Sequence, residues 1–199
     1  LIKKFSLKRV QKSGARFDEK RLLWLNGAHI RNVPVDKLYE YVSPQDDNPQ
    51  KDEGQTGFWP ESAYAPNITK EYRMKVLALA QDRLKMFEDL RGFDYFFAEP
   101  EINMELIDGN KQLKKLSVSE RRELLETARH ELAKLAGWTP ESIQNCLNKL
   151  LETTGQKPGI LFSLIRIAVT WAPFSPQLND TLALIGQEKT LRRLDGYIS

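Results

Sequence analysis

The side chain best placed to do chemistry in this sequence is Arg166, the one charged residue in the otherwise apolar run ILFSLIRIAVTW (160–171). Its polar companions, Ser163 and Thr170, stand three and four residues away, so on a helix the three share one narrow stripe. Ile160, Leu161, Leu164, Ile165 and Ala168 supply a core face. A guanidinium flanked by apolar surface is desolvated and needs an acceptor, because an unpaired buried charge is costly. A carboxylate elsewhere in the chain would satisfy it; so would a nucleobase edge or a phosphate. Pattern alone favours the internal carboxylate.

Other reactive residue types form no constellation. His29 and His130 lie far apart with no further ligand set at metal-binding spacing, so neither a metal site nor a catalytic residue is expected. No glycine-rich phosphate loop occurs. Cys146 sits on the apolar stripe of its segment and reads as a small core residue rather than a nucleophile. Trp24, Trp59, Trp138 and Trp171 could stack on bases, but tryptophans at helix ends more simply pack in a core or hinge.

The elements that must hold these residues are helices. Asp18 can cap a helix through Asn26 that Gly27 ends. Val35, Leu38, Tyr39 and Val42 recur at helical spacing before Pro44. Residues 44–66 carry four prolines and two glycines and read as a loop. Thr69 caps the next segment, where Val76, Leu77, Ala80, Leu84, Phe87 and Leu90 or Phe93 form a long apolar stripe. Residues 100–115 look irregular. Ser117-Val118-Ser119-Glu120 is a capping box ahead of a helix to Gly137. Thr139-Pro140-Glu141 opens one that Gly155 ends. Pro158-Gly159 opens the Arg166 helix. Ser175-Pro176 opens another, ended by Gly186, and a last short helix runs from Glu188 to about Leu194. At least seven helices and no strand are expected.

The totals fit a globular chain of one or two domains: 199 residues, 41% hydrophobic and 29% charged. No run is long and apolar enough for a bilayer span. The single cysteine excludes an internal disulfide framework and fits a reducing compartment. Leu1 is not an initiator methionine and no secretory pattern follows, so a fragment of a longer cytoplasmic protein is expected. Charge is uneven. Residues 1–31 hold nine Lys/Arg against two acids, whereas 32–66 hold two against seven. A basic arm beside a neutral body suggests contact with a polyanion such as RNA.

The stretch FSLKRVQKSGARFDEKRLLWLNGAHIR (5–31) resembles the segment after the catalytic lysine-rich loop in bacterial-type glutamyl-tRNA synthetases. GILFSLIRIAVTW and LALIGQEKTLRRL, with the spacing between them, resemble the carboxy-terminal helices of that family. The resemblance implies an all-α fold of two consecutive helical-bundle subdomains. They would form the anticodon-binding helical cage of a class I synthetase, behind a short basic remnant of the stem-contact domain. The corresponding boundaries are 1–31, 32–112 (with the loop 44–66) and 113–199.

The family's histidine-x-glycine-histidine-type motif and lysine-rich loop are missing from this sequence, so it is not expected to activate glutamate by itself. ATP, with magnesium, would be used by a catalytic domain outside it. The implied partner is tRNA(Glu), with tRNA(Gln) as a further one, bound by a monomer in a bacterial cytoplasm or, as the alternative, an organelle matrix. The resemblance places Arg166, Ser175 and Leu178 near the first anticodon base. Lys149, next to Asn148 where some relatives have an arginine, would approach the middle base, and Arg83 the third. Gln177 replaces a common glycine. The competing reading is a helical protein-interaction module with a basic arm.

Overall fold

Asp18 opens the first helix as its sequence suggests: its carboxylate accepts the backbone N–H of Arg21 at 3.0 Å. The computed structural model describes residues 18–43 and 57–198, so the arm at 1–17 and most of the proline-rich loop lie outside the described residues. Helix α1 (Glu19–Asn32) does not stop at Gly27 but runs through it. The glycine serves packing there. A Cβ at 27 would stand 3.1 Å from the carbonyl oxygen of Leu84, so only a residue without a side chain lets the two backbones approach.

Helix α2 (Val35–Val42) buries Leu38, Tyr39 and Val42, in keeping with its apolar spacing. Phe58 and Trp59 then pack back on it, and the Trp59 indole N–H donates to Ser43 Oγ at 2.7 Å. Helix α3 (Lys70–Ala80) starts at Thr69, whose hydroxyl accepts the N–H of Tyr72.

The long helix expected beyond Ala80 is not formed. A 3-10 turn (Gln81–Arg83) leads to an extended Leu84 (ψ 133°), and a kinked 3-10 run extends from Phe87 to Phe96. Asp89 explains the break: its carboxylate accepts the N–H groups of Lys85 and Met86 at 2.7 and 2.9 Å, offering the backbone an alternative to helical bonds. The apolar stripe is still buried. Leu84, Leu90 and Phe93 are fully enclosed, because tighter turns also bring every third or fourth residue to one side.

Beyond a short turn, α4 (Glu105–Asp108), the expected helices form with two shifted ends: the helix behind Ser117 stops at Ala133 rather than Gly137, and the one expected from Ser175-Pro176 starts at Leu178 without a side-chain cap. In α5 (Val118–Ala133) Ser117 and Glu120 close the capping box reciprocally. Helix α6 (Pro140–Thr154) ends at Gly155 in the left-handed conformation (φ 65°). Helix α7 (Pro158–Thr170) ends at Trp171, also left-handed (φ 45°), although it is not glycine. Helices α8 (Leu178–Ile185) and α9 (Gln187–Ile198) complete the chain, α9 running past the expected Leu194.

Helix α9 packs on α5 and α7, α6 on α8 and α5, and α3 touches α8. Buried apolar side chains from Ile30 to Leu194 form one continuous cluster, the dominant favourable term for such a fold. No strand occurs among the described residues, so the all-α expectation holds.

Two polar cross-connections tie distant helices together. Tyr72 on α3 donates to the carbonyl of Phe96 at 3.1 Å, and Leu184 O on α8 lies within 3.4 Å of the same hydroxyl. Burial pushes that phenol up to about 12, with Arg193 pulling the other way. Arg193 on α9 is itself buried. It reaches Glu99 (2.9 Å) and the carbonyls of Tyr95, Ala98 and Val169 (3.0–3.1 Å). One guanidinium thereby fastens the 95–99 segment to the end of α7.

Candidate nucleic-acid interface

Arg166 lies on α7 and is half-buried, but its acceptor is not the carboxylate that the sequence pattern favours. Its Nε donates to Ser175 Oγ at 2.9 Å, and the Ser175 hydroxyl in turn donates to the carbonyl of Pro176 at 3.0 Å. Among the described residues no acid pairs with it. A guanidinium has five N–H donors in a fixed fork. One is used, and no hydrogen bond within the described residues reaches the two terminal nitrogens. Ser163 and Thr170 share the stripe as expected, with the Thr170 hydroxyl turned back to the carbonyl of Arg166 at 2.9 Å.

The electrostatic surroundings of Arg166 are unusual for a structural arginine. Burial lowers its pKa, the positive charge of Arg83 lowers it further, and only Tyr95 opposes. The positive charge of Arg83, from the other half of the chain, is thus felt at Arg166. Tyr95 is buried beside Arg166, its phenol pushed upward by burial, and its hydroxyl has no hydrogen-bond partner among the described residues. Such an arrangement is costly in the free protein, and an acceptor-rich or anionic ligand would relieve it.

A cleft of about 290 Å³ is lined by Ala78, Leu79, Asp82, Arg83, Pro176, Gln177 and Asp180, so it takes in Arg83 and the residue after Ser175, together with two acids. It lies where the end of α3 meets the loop that carries Ser175. That loop returns the chain to α7 because Trp171 reverses it at a left-handed residue. Phe174, exposed at 46%, stands in the same loop with its ring edge-on to Phe93 at 5.9 Å.

Of the residues singled out from the sequence, Arg166 and Ser175 are in direct contact, while Arg83 lines the cleft that begins at Pro176. Leu178 is near them in the chain, but its side chain is only 5% exposed and belongs to the core under the cleft. As the first residue of α8 it packs into the bundle. Lys149 is elsewhere on α6, exposed and 3.6 Å from Glu131. Neighbouring Asn148 accepts from Gln144 at 2.8 Å, within the same helix.

Cys146 is buried as expected, and burial together with the charge of Glu131 pushes its thiol pKa up, away from nucleophilic character. No cluster of metal-ligating side chains occurs among the described residues. Sequence reasoning missed Phe174 and Tyr95. An aromatic between Pro173 and Pro176 is a usable signal for the first. The run FDYFF gives none for the second, since four rings there look equally core-like.

Comparison with known proteins identifies the family of the chain. Residues 37–198 match the family model described as the anticodon binding domain. The glutamate–tRNA ligase of Roseiflexus castenholzii is 32% identical over 207 residues, covering 100% of this chain and 37% of the relative. That of Chloroflexus aurantiacus is 30% identical, with 38% of its length covered. The chain therefore spans little more than a third of the curated relatives it matches. Among solved structures, the glutamate-tRNA synthetase of Elizabethkingia anophelis superposes with a TM-score of 0.64 at 23% identity, over 99% of this chain and 35% of that one. A glutamate tRNA ligase from Elizabethkingia meningosepticum gives 0.63 at 20%. With the family model covering most of its length, the chain belongs to the anticodon-binding domain family.

Proposed function

We propose that this chain is the anticodon-reading part of a glutamate–tRNA ligase, and that it binds tRNA(Glu) through the cleft beside Arg166, Arg83 and Ser175. The observation that carries the reading is the half-buried Arg166, held by Ser175 with its terminal donors unused and no acid paired with it among the described residues. The names of the relatives support the glutamate assignment.

Anticodon bases are single-stranded and present their pairing edges. A glutamate anticodon reads pyrimidine, uracil, cytosine, and the pairing edge of cytosine carries two acceptors. An arginine only donates, so its terminal nitrogens suit those acceptors. The Ser175 hydroxyl steadies the fork by holding Nε, which leaves the N–H groups of the terminal nitrogens to serve a ligand. A bidentate base contact of this kind is worth about 1–3 kcal/mol of discrimination. The arm at 1–17 would add phosphate contacts that position RNA without reading it. ATP and magnesium belong to the ligase reaction of the longer protein, and no described residue is assigned to them. In that reading the protein acts as a monomer in the cytoplasm.

The test is a titration of the chain with a glutamate anticodon stem-loop and with one whose anticodon is altered, each at two salt concentrations. Tighter binding of the first, abolished by Arg166→Ala, is the expected result. Binding that ignores the anticodon reduces the surface to a general polyanion site. Absence of RNA binding leaves the helical protein-interaction module.

A further inference from the structure

We propose that Phe174 is a stacking platform for an unpaired base beside the Arg166–Ser175 pair; this rests on the anticodon-reading function and adds a residue to it. The tryptophans are poorly placed for the task. Trp59 is only 4% exposed, Trp171 stacks on Tyr197, and the Trp138 indole is tied to the carbonyl of Leu182 at 2.9 Å. Trp24 is 67% exposed but sits on α1, with no ring neighbour among the described residues to fix it. Phe174 differs in being both exposed and held.

Its ring packs at 77° to that of the fully buried Phe93, the centroids 5.9 Å apart, and the side chain remains 46% exposed. The ring also rests over Gly92, where a Cβ would come within 3.3 Å of its Cζ. A ring fixed in this way loses little rotamer freedom when a ligand covers it, so the gain from stacking is not offset by ordering. Its chain neighbour Ser175 is the residue that holds Arg166. Arg91, next to Gly92, is exposed and has no acid partner among the described residues.

The loop thus presents an aromatic face and guanidinium donors within two consecutive residues' reach. That pairing of face and edge is how proteins hold splayed-out single-stranded bases. Every base has a π-face, so Phe174 adds affinity, whereas Arg166 supplies the choice between bases.

The experiment compares the unaltered chain with Phe174→Leu and Phe174→Tyr, using the glutamate anticodon stem-loop and the altered one. Phe174→Leu is expected to bind both RNAs at least about fivefold more weakly, the low end of what one stacked base contributes. Phe174→Tyr stays within about twofold, and the dependence on salt is unchanged. With 2-aminopurine placed in the anticodon loop, the quenching seen with the unaltered chain is reduced by Phe174→Leu. Because the side chain is nearly half exposed, each variant should melt within a few degrees of the parent; Phe174→Ala provides a second apolar truncation.

Binding of Phe174→Leu indistinguishable from the parent overturns the proposal and leaves the anticodon reading intact. A loss confined to the native anticodon also overturns it, since Phe174 would then discriminate. Equal losses on both RNAs by a parent that ignores the anticodon support the platform while removing the anticodon reading. No binding by the parent removes both.

Discussion

Replacing Arg193 by methionine tests how the two halves of the interface are held in register. The guanidinium serves four acceptors at 2.9–3.1 Å: Glu99 and the carbonyls of Tyr95, Ala98 and Val169. Its side chain is 4% exposed, while that of Glu99 is 53% exposed and can return to water. The carbonyls cannot be rescued so readily. That of Val169 would have its helical donor at residue 173, but Pro173 has no N–H to give. A buried polar group left without a partner costs about 1–3 kcal/mol. Three carbonyls at the low end come to about 3 kcal/mol, a large share of the roughly 5–15 kcal/mol that holds a domain together. Glu99→Gln keeps an oxygen in place and loses only a half-exposed charge, so it should cost no more than about 1 kcal/mol. Urea unfolding monitored by circular dichroism measures both. If Arg193→Met costs less than about 1 kcal/mol, the low end for a single orphaned carbonyl, or Glu99→Gln costs as much as Arg193→Met, the carbonyls are not what the arginine holds.

Three further outcomes rest on the same geometry. Arg166→Met removes a cation that feels the charge of Arg83 and has no described acid partner, so its melting temperature should equal or slightly exceed the parent's; a drop of more than about 3 °C, on the order of 1 kcal/mol for a chain of this size, would reveal a structural ion pair. Ser117→Ala opens the capping box of α5 and should cost about 1 kcal/mol in denaturant unfolding, whereas Ser119→Ala, inside the first turn, should be near neutral. For acid stability, burial alone would raise the pKa of Glu99, but hydrogen bonds and charge from Arg193, then Arg192, hold it below the usual 4.5. Since the folded value is depressed, this carboxylate stabilises the fold above the unfolded pKa and that contribution is lost as pH falls through the folded one. Stability of the parent should therefore fall below about pH 4.5 more steeply than that of Glu99→Gln, as thermal melts at a series of pH values would show.

Much of the fold could be read from the chain because its determinants are local. Asp18, Thr69, Ser117 and Thr139 each cap a helix through a backbone N–H three residues on, which a single sequence displays. The exceptions are informative. Gly27 has the signature of a helix end, yet its role comes from Leu84, far away in sequence. The stripe from Leu84 to Phe93 has helical spacing, but Asp89 captures two N–H groups and tightens the path. In the candidate site, the isolation of Arg166 was visible in the sequence, while its partner was not. The choice between a carboxylate and a hydroxyl depended on the loop at 171–177 folding back on α7. The resemblance to glutamyl-tRNA synthetases is what pointed to Arg83 and Ser175, which pattern alone would not single out. It also pointed to Leu178, whose burial depends on how α8 meets the bundle.

The turn at Trp171 has a reach beyond its own loop. A tryptophan backbone at φ 45° is uphill by roughly 1–2 kcal/mol relative to a glycine there. Its indole lies flat against Tyr197 on α9, at 6.0 Å and 27°. The contour of the cleft is consequently set in part by a helix that never borders it: whatever tilts the last turn of α9 shifts the pivot from which Phe174 and Ser175 are suspended.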